Sequence, residues 1–165
     1  MSPLGTLHLT AALLALASGA LVLVRPKGTA GHRAVGWVYA GAMLATNLTA
    51  LGIYRLFGRF GPFHVAALVS LASTAAGVAA IRLGAGPRAI RRHYFSMTYS
   101  YVGLAAAAVS ETATRLVRPH SGTTFGLAVF VASALVFAVG ARRIRRGAAA
   151  QLTPFGAAPA ISARA

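Results

Sequence analysis

Long apolar runs alternate with short polar gaps along this chain, and the runs set the first expectation. They cover residues 4–24, 34–57, 63–83, 94–117 and 123–141, with histidine or charged side chains inside them only at His8, Arg55, His64, Arg82, Glu111 and Arg115. A helix needs about 20 apolar residues to cross the roughly 30 Å hydrocarbon core of a bilayer, so each run predicts one spanning helix. The runs are rich in Ala and Leu and lack strict apolar–polar alternation, which argues against strands. Pro3, Pro26, Pro62, Pro87 and Pro119 stand at or before the five starts, and no span interior contains proline. That placement fits, because proline is tolerated in a helix's first turn but costs about 3 kcal/mol inside one. No cation precedes the first run, and Arg25 and Lys27 follow it. This is the pattern of a retained span with its N-terminus outside rather than of a cleaved leader.

The expected fold is therefore all-α: a polytopic transmembrane helical bundle in one domain over residues 1–147. Lipid supplies no hydrophobic drive between helices, so packing relies on small residues and interhelical hydrogen bonds. Gly5, Ala12, Ala15 and Gly19 form a small-residue stripe in the first run, and Ala66, Ser70, Ser73 and Gly77 form another in the third. The fifth run is plainer, with Phe125, Phe130 and Phe137. The first four helices are thus expected to form a core with the fifth at its periphery. Residues 148–165, with Pro154, Pro159 and small residues, read as a disordered cytoplasmic tail.

Composition and charge sharpen this picture. Hydrophobic residues make up 57% of the 165 positions and charged residues 10%, where soluble domains carry about 25% charged. The absence of cysteine excludes disulfides, thiolate zinc sites and iron–sulfur clusters. Sixteen Lys and Arg against a single acid, Glu111, give a net charge of +15. With the N-terminus outside, twelve of these cations fall on the cytoplasmic side and only Arg55, Arg59, Arg115 and Arg118 on the other. The imbalance predicts an N-out, C-in topology. Because the cations sit between apolar runs, anionic lipid is the expected counter-charge, not nucleic acid.

Ionisable groups within a membrane are costly and mark functional positions. His8 and His64 lie near the outer face, Glu111 lies in the fourth run toward the same face, and His32 and His93 lie near the inner face. His93 and Glu111 are 18 residues apart, about five turns, so they share one stripe with Met97, Ser100, Leu104 and Ala107. His32, Gly36, Tyr39, Met43 and Asn47 form a comparable stripe in the second run. Imidazole is the commonest protein metal ligand, and two facing imidazoles ligate a haem iron axially. One reading is a haem b held by His8 with His64, by His32 with His93, or by both pairs. Another is a zinc or copper ion on His8, His64 and Glu111, three ligands that leave one position open. The plainer alternatives are interfacial histidine anchors and an ion pair from Glu111 to Arg115, one helical turn on. A chain with one acid cannot supply paired carboxylates, and no phosphate-binding loop or nucleophile elbow is present, so no catalytic residue is singled out.

The stretch Lys27-Gly28-Thr29-Ala30-Gly31-His32-Arg33 followed by Gly36 and Tyr39, and the stretch Arg91-Arg92-His93 followed by Met97, Ser100 and Tyr101, resemble two motifs of one bacterial membrane family. This is the domain of unknown function 2306, which the chain resembles over about residues 4 to 117. Tyr94-Phe95 replace the family's usual basic residue and tryptophan. The resemblance implies a polytopic helical fold in the bacterial cytoplasmic membrane and no established activity. Three function classes follow: a metal- or haem-binding protein, as electron carrier or metal-handling accessory; a metal-free small-molecule transporter; and a structural subunit of a homo-oligomer or membrane complex.

Overall fold

A computed structural model describes residues 2–54, 58–117 and 122–158, with the side chains of 114–117 left aside. Five helices account for nearly all of it: α1 (Pro3–Val24), α2 (Ala30–Leu51), α3 (Pro62–Leu83), α4 (Gly86–Val117) and α5 (Gly122–Leu152), then a 3-10 turn at Thr153–Phe155. No strand occurs among the described residues. The helix starts are set by local chemistry. Ser2 Oγ accepts the Gly5 N–H at 3.2 Å and Thr29 Oγ1 accepts the His32 N–H at 3.1 Å, satisfying donors that a helix N-terminus leaves open. Pro3 and Pro62 stand at the first position of α1 and α3.

The helices α1, α2, α3 and α4 each pack on the next, and α4 closes back on α1. The result is a four-helix ring in which α2 and α4 face each other across one diagonal. The helix α5 packs along α4, outside the ring, as the plain character of its run leads one to expect. Four helices (α1, α2, α3 and α5) are long and apolar enough to cross a membrane. Twenty-two residues make about 33 Å of helix, which matches the hydrocarbon core. The 32-residue α4 is less apolar because it carries Arg88, Arg91 and Arg92 in its first turns and Glu111 and Arg115 near its end, and its buried face includes Thr98, Ser100 and Ser110.

The distribution of burial is the reverse of a soluble protein's. On α1 the buried positions are Ala11, Ala15, Ser18 and Gly19, while Leu7, Leu13 and Leu14 face outward. Small residues let backbones approach, and the large side chains are left for lipid. Gly19 lies against the rings of Tyr39 and Tyr101, and Gly140 of α5 lies against Val102. Polar contacts add to this packing. Ser73 Oγ donates to the Ser96 carbonyl at 3.0 Å, and the Ser110 and Ser133 hydroxyls meet at 2.9 Å. On α3 the buried face runs through Ala67, Thr74, Gly77 and Ala80, rotated about one residue from the stripe read off the sequence.

Three elements differ in extent from the sequence expectation. The helix α2 starts and ends earlier than 34–57, because Thr29 caps it and Gly52 ends it. The helix α4 starts at Gly86, eight residues before the apolar run, with its arginines projecting beyond the core. Residues 148–158, expected as part of a disordered tail, continue α5 and its closing turn. Ile144, Ala148 and Leu152 recur every fourth residue, and Ala148, Leu152 and Ala157 pack with Ile90, Tyr94, Phe95 and Phe155. That periodicity was present in the chain but hidden among alanines and prolines. Residues 159–165 of the expected tail lie outside the described residues.

Candidate functional site

At the end where α1 closes and α2 opens, the first motif folds into a tight turn, and most of its residues have a structural task. Lys27 donates from Nζ to the carbonyls of Val22 (2.8 Å), Leu23 (2.8 Å) and Arg25 (3.2 Å). It thereby satisfies acceptors that the end of α1 leaves open, at the negative end of the helix dipole. Burial against them lowers its ammonium pKa from the ordinary lysine value. Gly28 adopts a left-handed backbone, φ 78°, which a side chain would strain. Thr29 caps α2, and Arg33 donates from Nη1 to the Gly28 carbonyl at 2.8 Å. His32 is different. Its Nδ1 is buried and has no hydrogen-bond partner among the described residues.

The second motif lies opposite, on α4. His93 donates from Nδ1 to the Gly77 carbonyl at 2.8 Å. An amide oxygen only accepts, so in the neutral ring this bond fixes the proton on Nδ1 and leaves the Nε2 lone pair free. The rings of His32 and His93 are 6.5 Å apart, centroid to centroid, and 82° inclined. Two turns deeper, the Tyr39 and Ser100 hydroxyls meet at 2.8 Å, both fully buried. Tyr39 follows His32 by seven residues, and Ser100 follows His93 by seven. The helices α2 and α4 run in the same direction from this end, so equal offsets bring both pairs to matching depths, about 10 Å apart. Met43 and Leu104, four residues further along each helix, are packed in one cluster with Tyr39. The α2 stripe and the α4 stripe from His93 to Leu104 are therefore the two sides of one internal seam. Glu111, expected on the same inward face, is exposed and does not join it, because the stripe turns away from the bundle toward the end of α4.

The other candidates are placed otherwise. His8 Nδ1 lies 3.1 Å from the Thr46 carbonyl and 3.0 Å from Thr49 Oγ1, fastening α1 to α2. His64 Nδ1 accepts the Gly61 N–H at 3.1 Å, and its ring stacks near Tyr54 and Phe60, 4.6 and 4.9 Å away. Its Nε2 is buried without a partner among the described residues. Glu111 is exposed near the C-terminal end of α4, and the side chain of Arg115, its expected ion-pair partner, lies outside the described residues. No group of three or more His, Cys, Asp or Glu side chains stands close enough to hold a metal ion among the described residues. The structure thus brings His32 to His93 but gathers no site from His8, His64 and Glu111. Sequence inspection placed Tyr39 and Ser100 on their stripes without pairing them; the shared seven-residue offset was the available signal.

The model of the family described as "Predicted membrane protein (DUF2306)" matches residues 5–142, which includes all four helices of the ring and both histidine motifs. The chain belongs to this family. No curated protein and no solved structure matches it. Family membership and four apolar helices make the chain a multi-pass membrane protein, consistent with the bacterial cytoplasmic membrane. For this DUF2306 chain, the residues of the two motifs divide cleanly. Lys27, Gly28, Thr29 and Arg33 build a turn, Met97 and Tyr101 pack the core, and His32 and His93 confront each other.

Proposed function

We propose that the chain holds a metal centre between His32 and His93, either a single zinc or copper ion or the iron of a haem b, and serves as an electron carrier or metal-handling accessory in the membrane. The observation that carries this reading is the approach of two imidazoles from facing helices, one with a buried unpaired nitrogen. Imidazoles bound on opposite sides of one metal, at about 2.0–2.1 Å per bond, place their ring centroids roughly 6–6.5 Å apart. The separation of 6.5 Å fits that opposed arrangement, as on a haem iron or a linear copper ion, whereas a tetrahedral zinc would draw the two centroids in to about 5 Å. Metal-binding histidines commonly donate their second N–H to a carbonyl, which orients the ring and raises the basicity of the ligating nitrogen. His93 makes such a bond to Gly77.

The protein purified in mild detergent is expected to carry near-stoichiometric zinc or copper by elemental analysis, or a Soret band if the centre is haem. His32→Ala and His93→Ala each remove that signal, while His8→Ala keeps it. Metal-free protein with a featureless visible spectrum, from cells supplied with iron, copper and zinc, contradicts the reading.

The basic end carries Arg25, Lys27, Arg33, Arg82, Arg88, Arg91 and Arg92, and the positive-inside rule puts this end in the cytoplasm. The natural absence of cysteine makes the test simple. A single cysteine at Ser2 is expected to react with an impermeant maleimide in intact spheroplasts, and one at Ala85 only after lysis. The reverse pattern contradicts N-out, C-in.

A further inference from the structure

Between the end of α3 and the start of α4, a groove of about 380 Å³ opens at the basic end of the bundle. Its floor is small and apolar, with Ala80, Leu83 and Ala89, and its rim carries Arg88 and Arg92. These arginines are four residues apart, so their side chains lie on one face of α4. The volume falls within the range of about 300–1,000 Å³ typical of small-molecule sites. Gly84 makes the groove possible: a Cβ there would come within 2.7 Å of the Ala80 carbonyl oxygen and 3.1 Å of Ala89 Cβ. The chain can therefore reverse closely enough to set the two helix ends side by side.

Among the described residues no acidic side chain offsets the charge here. Glu111, the one acidic side chain, lies 23 residues beyond Arg88, about 35 Å along α4. Neighbouring cations have other engagements. Arg33 holds the Gly28 carbonyl, the Arg82 guanidinium lies 5.6 Å from the Trp37 ring centroid, and that of Arg91 lies 5.9 Å from Phe95. Arg88 and Arg92 have no such hydrogen bond or ring contact among the described residues and line the groove. The first turn of α4 contains no acid, so its dipole adds to the positive field rather than being offset. Leu83, 87% exposed, closes the apolar span of α3 just below. A ligand here meets positive charge at headgroup depth and hydrocarbon immediately beneath it.

We propose that this groove binds one anionic phospholipid, with Arg88 and Arg92 on its phosphate and an acyl chain along Leu83. Arginine suits the task because its planar guanidinium offers paired donors to phosphate oxygens. The site stands apart from the histidine pair, and its test does not depend on any metal.

Native mass spectrometry of the detergent-purified full chain, titrated with phosphatidylglycerol or phosphatidylcholine, reads the number of retained lipids. One tightly held phosphatidylglycerol per chain is expected, preferred over phosphatidylcholine by about tenfold or more, the scale of a lost charge-assisted contact. Arg88→Gln with Arg92→Gln abolishes the preference, whereas Arg142→Gln with Arg143→Gln retains it. Both pairs are exposed, and an unchanged melting temperature confirms that each variant folds. Equal retention of the two lipids, or full retention by the Arg88/Arg92 variant, overturns the proposal. Displacement of the lipid by millimolar inorganic phosphate also overturns it, because the site then recognises phosphate without the acyl chain.

Discussion

Gly19→Ala is expected to lower the melting temperature of the detergent-solubilised protein by about 5 °C or more, the scale of a 1–3 kcal/mol overpacking cost in a chain of this size. A Cβ at this position would collide with Tyr101 Cδ2, and would lie 2.6 Å from Tyr101 Cε2 and 2.9 Å from Tyr39 Cε2. Neither ring is free to swing aside. The Tyr101 hydroxyl donates to the Leu16 carbonyl at 3.3 Å, and the Tyr39 hydroxyl is paired with Ser100. Relief therefore requires α1 to move away from α2 and α4, opening the ring of helices. Gly41→Ala is the matched control: nothing lies within 4 Å of a Cβ built there, and helix propensity favours alanine by up to about 1 kcal/mol. Equal melting temperatures for the two variants would show that α1 does not pack as described.

Gly77→Ala is expected to act on the proposed centre more than on the fold. An added Cβ would stand 2.5 Å from Met97 Sδ, 2.9 Å from Met97 Cγ and 3.2 Å from Ser96 Cβ. The methionine can rearrange, so the stability cost is about 1–2 kcal/mol. The carbonyl of the same residue, however, holds His93 Nδ1 at 2.8 Å. Pushing α3 away from α4 loosens that bond and releases the ring. Loss of such an outer hydrogen bond typically weakens metal affinity about 10–100-fold. Competition with a chelator of known affinity measures the change; an affinity equal to that of the unaltered protein would remove Gly77 from the account.

Most of the architecture was legible in the sequence, for a physical reason. A bilayer admits few backbone arrangements, so apolar run length and proline placement locate helices well. The peripheral place of α5 followed from its lack of an extended polar stripe. Less legible was whatever depended on rotation and depth. On α3 the stripe through Ala66 and Ser70 pointed to one face, while the structure buries its neighbour through Ala67 and Thr74. With alanine and serine on nearly every side, small-residue spacing could not choose between them. The closing turn was missed because Leu152 and Phe155 follow a run of alanines and stand beside Pro154, and their partners Ile90 and Tyr94 are over fifty residues away.

The histidines show the same division. All four helix-associated histidines were visible in the sequence, and helical spacing correctly put His93 and Ser100 on one stripe. What spacing could not reveal was which hydrogen bonds each ring already makes. His8 is engaged by Thr46 and Thr49, and His64 Nδ1 by the Gly61 N–H. Both partners lie in backbone or hydroxyl groups that carry no signature in sequence. His32 and His93 are set apart by their approach and by the equal offset to Tyr39 and Ser100, a relation between two helices rather than a property of either.

X-ray absorption at the metal edge, on protein as isolated from membranes, probes the histidine pair most directly. A first shell containing two imidazole nitrogens at about 2.0 Å, absent from His32→Ala and from His93→Ala alike, is the predicted result. A metal shell without imidazole, or one unchanged when either ring is removed, would contradict the account.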